Sequence, residues 1–249
     1  MRLRYVVNLF KEGNVMVCGP KGKGKDVLFG NVIARRRKPY VSNLDYTQDD
    51  LYQKLDFSKI DCGGNTYRDL ISGKVKYYKF PYEPGSDIYI SDAGIYLPAQ
   101  YCNELNRDFK HLPTYFAVCR QLSHNAVHAN VQAFPRVWDK LREQSADTYI
   151  RCRFCKVLFG FLVVQKITVY DKYQSAVDRV TPCRITVPLL ANKEVKQNAQ
   201  IYLDKFRNTY GMVRNGLLIY INKSKHDTYY FEKLFSEGVK DEKQQNKTN

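Results

Sequence analysis

The sequence predicts an α/β protein: a parallel sheet flanked by helices, with a β-rich C-terminal elaboration. Two observations carry this expectation. Short apolar runs alternate with amphipathic stretches through residues 15–144, as in a parallel sheet covered on both faces. An apolar run at 15–18 also enters a glycine-rich loop that leads straight into a helical pattern.

The elements follow in order. Residues 5–10 read as a first strand, turned by Glu12-Gly13-Asn14 into the strand 15–18. The stretch 26–37 is helical, and Arg35, Arg36, Arg37 and Lys38 at its end suit the negative pole of a helix dipole. Strands are expected at 39–44, 87–92, 114–120 and 127–132. Short helices are expected at 49–55 and 66–71, with a turn at Cys62-Gly63-Gly64-Asn65, and an amphipathic helix at 100–110. Pro135 opens a helix that runs to 144. The pattern then changes: 148–158 and 161–172, split by Gly160, read as a long hairpin, and 182–190 as extended chain. A clear amphipathic helix spans 194–210 and stops at Gly211. A strand at 217–221, a helix or turn at 228–235 and a frayed polar tail complete the chain. The expected organisation is a core of residues 1–150, an extension of the same domain over 151–238, and a tail at 239–249.

The loop reads Gly19-Pro20-Lys21-Gly22-Lys23-Gly24-Lys25-Asp26-Val27. Gly-x4-Gly-Lys between strand and helix is the phosphate-binding loop pattern of P-loop NTPases; the alternative is a Gly-Lys-rich surface loop that binds some other anion. Glycines let backbone N–H groups curl around phosphate oxygens, and the helix start adds partial positive charge. Lys25 reaches the β- and γ-phosphates of ATP. A Ser or Thr hydroxyl usually follows that lysine and touches Mg²⁺; here the residue is Asp26.

The chain has 249 residues, enough for one sizeable core, and its 44% hydrophobic content fits a globular protein. The 40 Lys+Arg against 25 Asp+Glu give a net charge of +15. That favours a polyanionic partner, nucleic acid first and an anionic membrane surface second. No secretory signal is expected, and the longest apolar run, 157–164, is far short of the roughly 20 residues of a spanning helix. Seven scattered cysteines (Cys18, Cys62, Cys102, Cys119, Cys152, Cys155, Cys183) suit reduced thiols in a cytoplasm. Cys152-x2-Cys155 sits in a strand-like alternation and lacks the second Cys or His pair of a zinc site.

A phosphate loop needs a Mg²⁺ ligand and a water-orienting carboxylate from a second strand. The motif for this is the apolar run ending in Ser91-Asp92-Ala93-Gly94. Further on come Cys119-Arg120-Gln121 and Val131-Gln132-Ala133-Phe134-Pro135. In this order, over residues 13–160, the chain resembles the zonular-occludens-toxin-like ATPases of filamentous phages, a branch of the FtsK/HerA group, and the resemblance implies the RecA/ASCE-like form of the P-loop NTPase fold. Those proteins carry Asp-Glu-Ala-Gly at a strand end, then a strand ending in Arg-His, then a strand ending in Gln before a Pro-containing helix.

The departures are paired. With Ala93-Gly94 as the anchor, Ser91 stands where the family has its magnesium-site Asp, and Asp92 stands where it has the catalytic Glu. Asp26 meanwhile replaces the loop hydroxyl. Hydroxyl and carboxylate have traded places, so Asp26 and Ser91 together are the expected magnesium site, and Asp92 orients the attacking water. In the other register Asp92 is the magnesium carboxylate and no catalytic acid stands beside it. The resemblance further implies γ-phosphate contacts from Gln132 and Arg120, each of which is also readable as a polar strand end. Arg136 or Arg142 is a trans-acting finger or a solvated helix residue. His124 and His128 lack metal-ligand spacing. The stretches 74–80 and 151–156 interleave cations with aromatics, a pattern that suits single-stranded nucleic acid and ordinary strands alike.

The implied function is a DNA-translocating ATPase of a phage or mobile element, handling single-stranded DNA during packaging or extrusion, with ATP and Mg²⁺. The resemblance implies a homo-oligomeric ring and a capsid or membrane assembly partner. The expected location is the bacterial cytoplasm, with recruitment to the inner membrane through a partner. Two rivals stand beside it: a nucleotide-binding scaffold or DNA-binding module with little hydrolysis, and a small nucleotide kinase.

Overall fold

The computed structural model describes residues 1–56, 82–83, 85–108, 126–188 and 190–225. The elements expected at 62–71, 114–120, 228–235 and 239–249 lie outside the described residues.

The first element corrects the sequence expectation. Residues 5–10 belong to an α-helix, α1 (Leu3–Glu12), not a strand. Its buried residues Val6, Val7 and Phe10 recur at helical spacing, while the β-branched pair Val6-Val7 imitates a strand locally. Strand β1 (Val15–Cys18), the loop and helix α2 (Lys25–Arg36) then follow as expected. Strand β2 (Tyr40–Ser42) is also as expected, but the helix expected at 49–55 is replaced by an edge strand, β3 (Tyr52–Lys54). The Tyr52 ring packs 5.6 Å from that of Tyr40, its parallel partner, and this cross-strand contact outweighs the local helical pattern.

Strand β4 (Asp87–Ile90) ends in a short helix, α3 (Ala93–Tyr96), and α4 (Cys102–Asp108) follows. Strand β5 (Val127–Val131) leads to the second correction. No continuous helix runs from Pro135 to Gln144: a 3₁₀ turn over Phe134–Arg136 and a π-helical stretch over Lys140–Ser145 are separated by an extended Val137. Val137 bridges Pro98, the Trp138 N–H donates to the Leu97 carbonyl at 2.9 Å, and the break delivers Trp138 fully into the core. Strands β6 (Thr148–Leu158) and β7 (Leu162–Tyr170) form the expected hairpin, followed by a short helix, α5 (Tyr173–Val177). Residues 182–188 form no strand. Helix α6 (Lys193–Tyr210), capped by the Asn192 side chain, leads to β8 (Val213–Ile221).

The eight strands form one sheet in the order β3-β2-β4-β5-β1-β6-β7-β8. The first six are parallel, and β7 and β8 are added antiparallel. Strand β5 lies between β1, which leads into the glycine loop, and β4. Strand alternation divides the core. Val15, Val17, Tyr89 and Ile150 face α1 and α2, against Phe10, Leu28, Phe29 and Val32. Met16, Cys18, Ile88, Ile90 and Val131 face the other way, against Leu97, Phe134, Trp138 and Tyr149. Each fully buried side chain of this kind contributes about 1.5–3 kcal/mol.

One ion pair is sealed into this scaffold. Arg36, at the end of α2, meets Asp87, at the start of β4, at 2.8 Å, with both side chains almost fully buried. Burial pushes the Asp87 carboxyl up to about 6, against the opposing pull of Arg36 and Lys38. Asp87→Ala strands a buried guanidinium and is expected to cost about 3–5 kcal/mol of stability. Chemical denaturation checks it; a loss under about 1 kcal/mol would show that the pair is dispensable. Among the described residues no helix is long and apolar enough to cross a membrane.

Candidate nucleotide site

The site stands at the C-terminal ends of β1, β4 and β5. Strand β1 ends at Cys18, and the chain must turn sharply before α2 begins. Gly22 and Gly24 take positive φ (72° and 74°), so both turns favour glycine. At Gly19 the constraint is space, because a Cβ there would sit 2.5 Å from the Cys152 carbonyl oxygen. The loop thus lies flat against β6. Pro20 makes its tip with a Lys23 N–H bond to the Pro20 carbonyl at 3.3 Å.

Lys25 opens α2 and points inward, with 5% of its surface exposed. Its ammonium makes one hydrogen bond among the described residues, a long one of 3.5 Å to the Pro20 carbonyl. Asp26, next on the helix, is the hub of a polar cluster. Its Oδ1 accepts from the Ser91 hydroxyl, from Asn130 Nδ2 at 2.8 Å and from the Tyr46 hydroxyl at 3.0 Å. Asn130 Nδ2 also reaches Ser91 Oγ at 3.2 Å. The two residues that depart from the expected pattern, Asp26 and Ser91, are therefore in direct contact.

The end of β4 is held by a second asparagine. Asn43 Oδ1 accepts the Ser91 N–H at 2.7 Å, and Asn43 Nδ2 donates to the Ser91 carbonyl at 3.0 Å. Asp92 then adopts a left-handed conformation (φ 45°), and its N–H donates to Asn130 Oδ1 at 2.9 Å. That bend ends β4 and starts α3. Burial raises the Asp92 carboxyl above the ordinary aspartate range, the Asp26 charge raises it further, and Lys25 and Lys21 oppose the shift.

Asp92, Gly94, Ile95, Val131, Gln132 and Arg136 line a small open cleft beside this cluster. Gln132 is the exposed residue just after β5, and its Oε1 accepts from Arg136 at 3.3 Å. Arg142 turns inward: it bonds Glu143 at 2.8 Å and the Val137 carbonyl at 2.9 Å, and stacks over Tyr173. His128 is a core residue whose Nδ1 accepts the Val15 N–H at 3.2 Å; burial holds its pKa well below the ordinary value. Arg120, His124 and the stretch 74–80 lie outside the described residues. Cys152 is buried and Cys155 half-buried beneath the loop, beside Gly19 and Gly24.

Sequence reasoning missed Tyr46, Asn43 and Asn130. Asn43 and Asn130 left a signal, as polar residues inside runs that read as strands, at 39–44 and 127–132.

No protein-family model matches the chain, and no curated protein matches it. Among solved structures it is similar to the N-terminal domain of zonular occludens toxin from Neisseria meningitidis. That match has 13% identity and a TM-score of 0.45, over 74% of this chain and 97% of that one. It is also similar to the genome packaging NTPase B204 from Sulfolobus turreted icosahedral virus 2 in complex with ATP-gammaS. There the identity is 14% and the TM-score 0.38, over 72% and 98% of the two chains. A third is the ATPase DotB of Legionella pneumophila, at 10% identity and a TM-score of 0.35, over 82% and 58%.

Proposed function

We propose that this chain is an ATPase that couples hydrolysis to the movement of DNA, single-stranded DNA of a phage or mobile element. The observation that carries the nucleotide half is Lys25. A buried ammonium whose one hydrogen bond among the described residues is a 3.5 Å contact to a carbonyl is costly unless an anion reaches it. The β- and γ-phosphates would supply that anion, and the backbone N–H groups of Gly22, Gly24, Lys25, Asp26 and Val27 would receive them.

The donor set also fits a hard divalent cation. Asp26 and Ser91 are the proposed magnesium residues. The bonds from Ser91, Asn130 and Tyr46 all fall on Oδ1 of Asp26, so among the described residues Oδ2 is the oxygen that would be left to a metal. Bound Mg²⁺ would offset the charge of the transferring phosphate. Asp92 is the proposed carboxylate that orients the attacking water, and Gln132, with Arg136 on its Oε1, senses the γ-phosphate across the cleft. Arg120 is proposed for the same phosphate. The DNA half rests on the net charge of +15. The proposed working form is a homo-oligomer in the host cytoplasm.

Phosphate release from ATP, measured with and without single-stranded DNA, tests this reading. Turnover is expected to rise with DNA, and DNA affinity to fall steeply between about 50 and 200 mM salt. Tight ATP binding without turnover would move the chain to a nucleotide-dependent scaffold. Consumption of ATP only with a small acceptor would make it a kinase.

A pH dependence follows from Asp92. Its ionised form is the working one, so kcat/KM for ATP, which reports the nucleotide-free protein, is lost as pH falls through its raised pKa, at a higher pH than an ordinary aspartate gives. Asp26 is the second cause of that shift, so Asp26→Asn should move the acid limb of any residual activity downward. A limb that does not move would remove Asp92 from the hydrolytic step.

A further inference from the structure

The antiparallel strands β7 and β8 lie beyond the parallel sheet, yet one of their side chains reaches the phosphate loop. Gln165 of β7 is fully buried. Its Nε2 donates to the Lys23 carbonyl at 2.8 Å and to the Gly24 carbonyl at 3.2 Å. Its Oε1 accepts from the Tyr220 hydroxyl of β8 at 3.3 Å. A primary amide has two N–H donors, and here each has a loop carbonyl. We propose that Gln165 is a positioning residue for the phosphate loop, acting from the antiparallel extension. The proposal rests on the nucleotide reading of the loop given above.

The reason is peptide geometry. In a trans peptide the carbonyl and the following N–H point in opposite directions. Fixing the Lys23 and Gly24 carbonyls toward β7 therefore turns the N–H groups of Gly24 and Lys25 to the opposite side, where a phosphate would be received. The Gly24 carbonyl also accepts the Leu28 N–H at 2.9 Å, the first turn of α2. Gln165 thus sets the loop and the helix start together. Gly24 makes the close approach possible: a Cβ there would come within 3.2 Å of Gln165 Nε2 and 2.8 Å of Cys155 Sγ. The chain just beyond β8 holds the same helix independently. Asn31 of α2 donates to Asn222 Oδ1 at 2.9 Å and accepts the Lys223 N–H at 2.8 Å.

The test uses the full chain with Gln165→Leu, Gln165→Glu and Tyr220→Phe. Amide hydrogen exchange over residues 21–28 is read without nucleotide, and ATP affinity by titration. Gln165→Leu should speed exchange at Lys23 and Leu28, whose N–H groups bond the Pro20 and Gly24 carbonyls, and weaken ATP binding about 10-fold or more. Gln165→Glu cannot donate when ionised. It should lose affinity at about pH 8 and regain part of it, relative to the wild type, at about pH 5.5, where a buried acid is protonated and donates again. A residue that merely fills space predicts no such recovery. If Gln165→Leu does not fold, Tyr220→Phe carries the test through loop exchange. Unchanged exchange with ATP affinity within about twofold of wild type overturns the proposal. A wild type that binds no ATP overturns the nucleotide reading instead, and faster loop exchange in the variants still supports the positioning role.

Discussion

Lys25→Ala is expected to abolish ATP binding at working concentrations while leaving the fold intact. Losing one partner of a buried charge-assisted contact costs about 2–5 kcal/mol, a fall in affinity of roughly 30- to several-thousand-fold. The stability prediction has the opposite sign from that of most buried truncations. Among the described residues Lys25 is buried with a single long carbonyl contact, so its removal relieves a desolvated charge when no nucleotide is present. Thermal unfolding of the nucleotide-free variant should therefore match or exceed the wild type, and the stabilisation conferred by ATP should disappear. ATP titration calorimetry and melting curves with and without nucleotide read both halves. Wild-type affinity in the variant would rule out the loop as the nucleotide site.

The features legible in the sequence are those written locally. Strand, glycine loop and helix at 15–36 follow from period, glycine spacing and helix signals, and β1 and α2 lie where those signals put them. The misreadings came where tertiary contacts overrode local pattern. Residues 5–10 carry a β-like Val-Val pair but bury one helical face, and 49–55 look helical but pair Tyr52 with Tyr40. The helix expected after Pro135 breaks because Val137 bridges Pro98, a residue that no local window contains. The polar cluster around Asp26 draws on residues 20, 65 and 104 positions away in the chain. Gln165 reaches the loop from 142 positions away. Nothing in the composition of 40–46 or 162–167 indicates that Tyr46 or Gln165 faces the loop, because the sheet order that brings them there is a property of the whole fold.

Exchange of the carboxylate and the hydroxyl is the sharpest claim about the site. Asp26→Ala should weaken Mg²⁺-dependent ATP binding and spare the metal-independent part, because the Ser91 hydroxyl alone is a poor ligand for a hard cation. Asp92→Asn should instead keep Mg²⁺-dependent binding and lose turnover by about 10²–10⁴-fold, the usual weight of one acid–base group. The double variant Asp26→Ser with Ser91→Asp should regain much of the lost activity. The geometry gives the reason: Ser91 Oγ and Asp26 Oδ1 are bonded to each other, and Asn130 Nδ2 touches both, at 3.2 and 2.8 Å. One amide donor can therefore hold the carboxylate whichever strand supplies it. Each single exchange breaks the pair: Asp26→Ser leaves two hydroxyls and no carboxylate, while Ser91→Asp sets two carboxylates against each other in a partly buried site. Both should fall below the double variant in Mg²⁺-dependent affinity, and that non-additivity is the signature of a shared site. Affinity with and without Mg²⁺, together with phosphate release, is measured for the whole set. If Asp92→Asn loses Mg²⁺-dependent binding while Asp26→Ala binds normally, Asp92 is the magnesium carboxylate. The chain then has no acid beside it to orient water, and its expected behaviour becomes nucleotide binding with little hydrolysis.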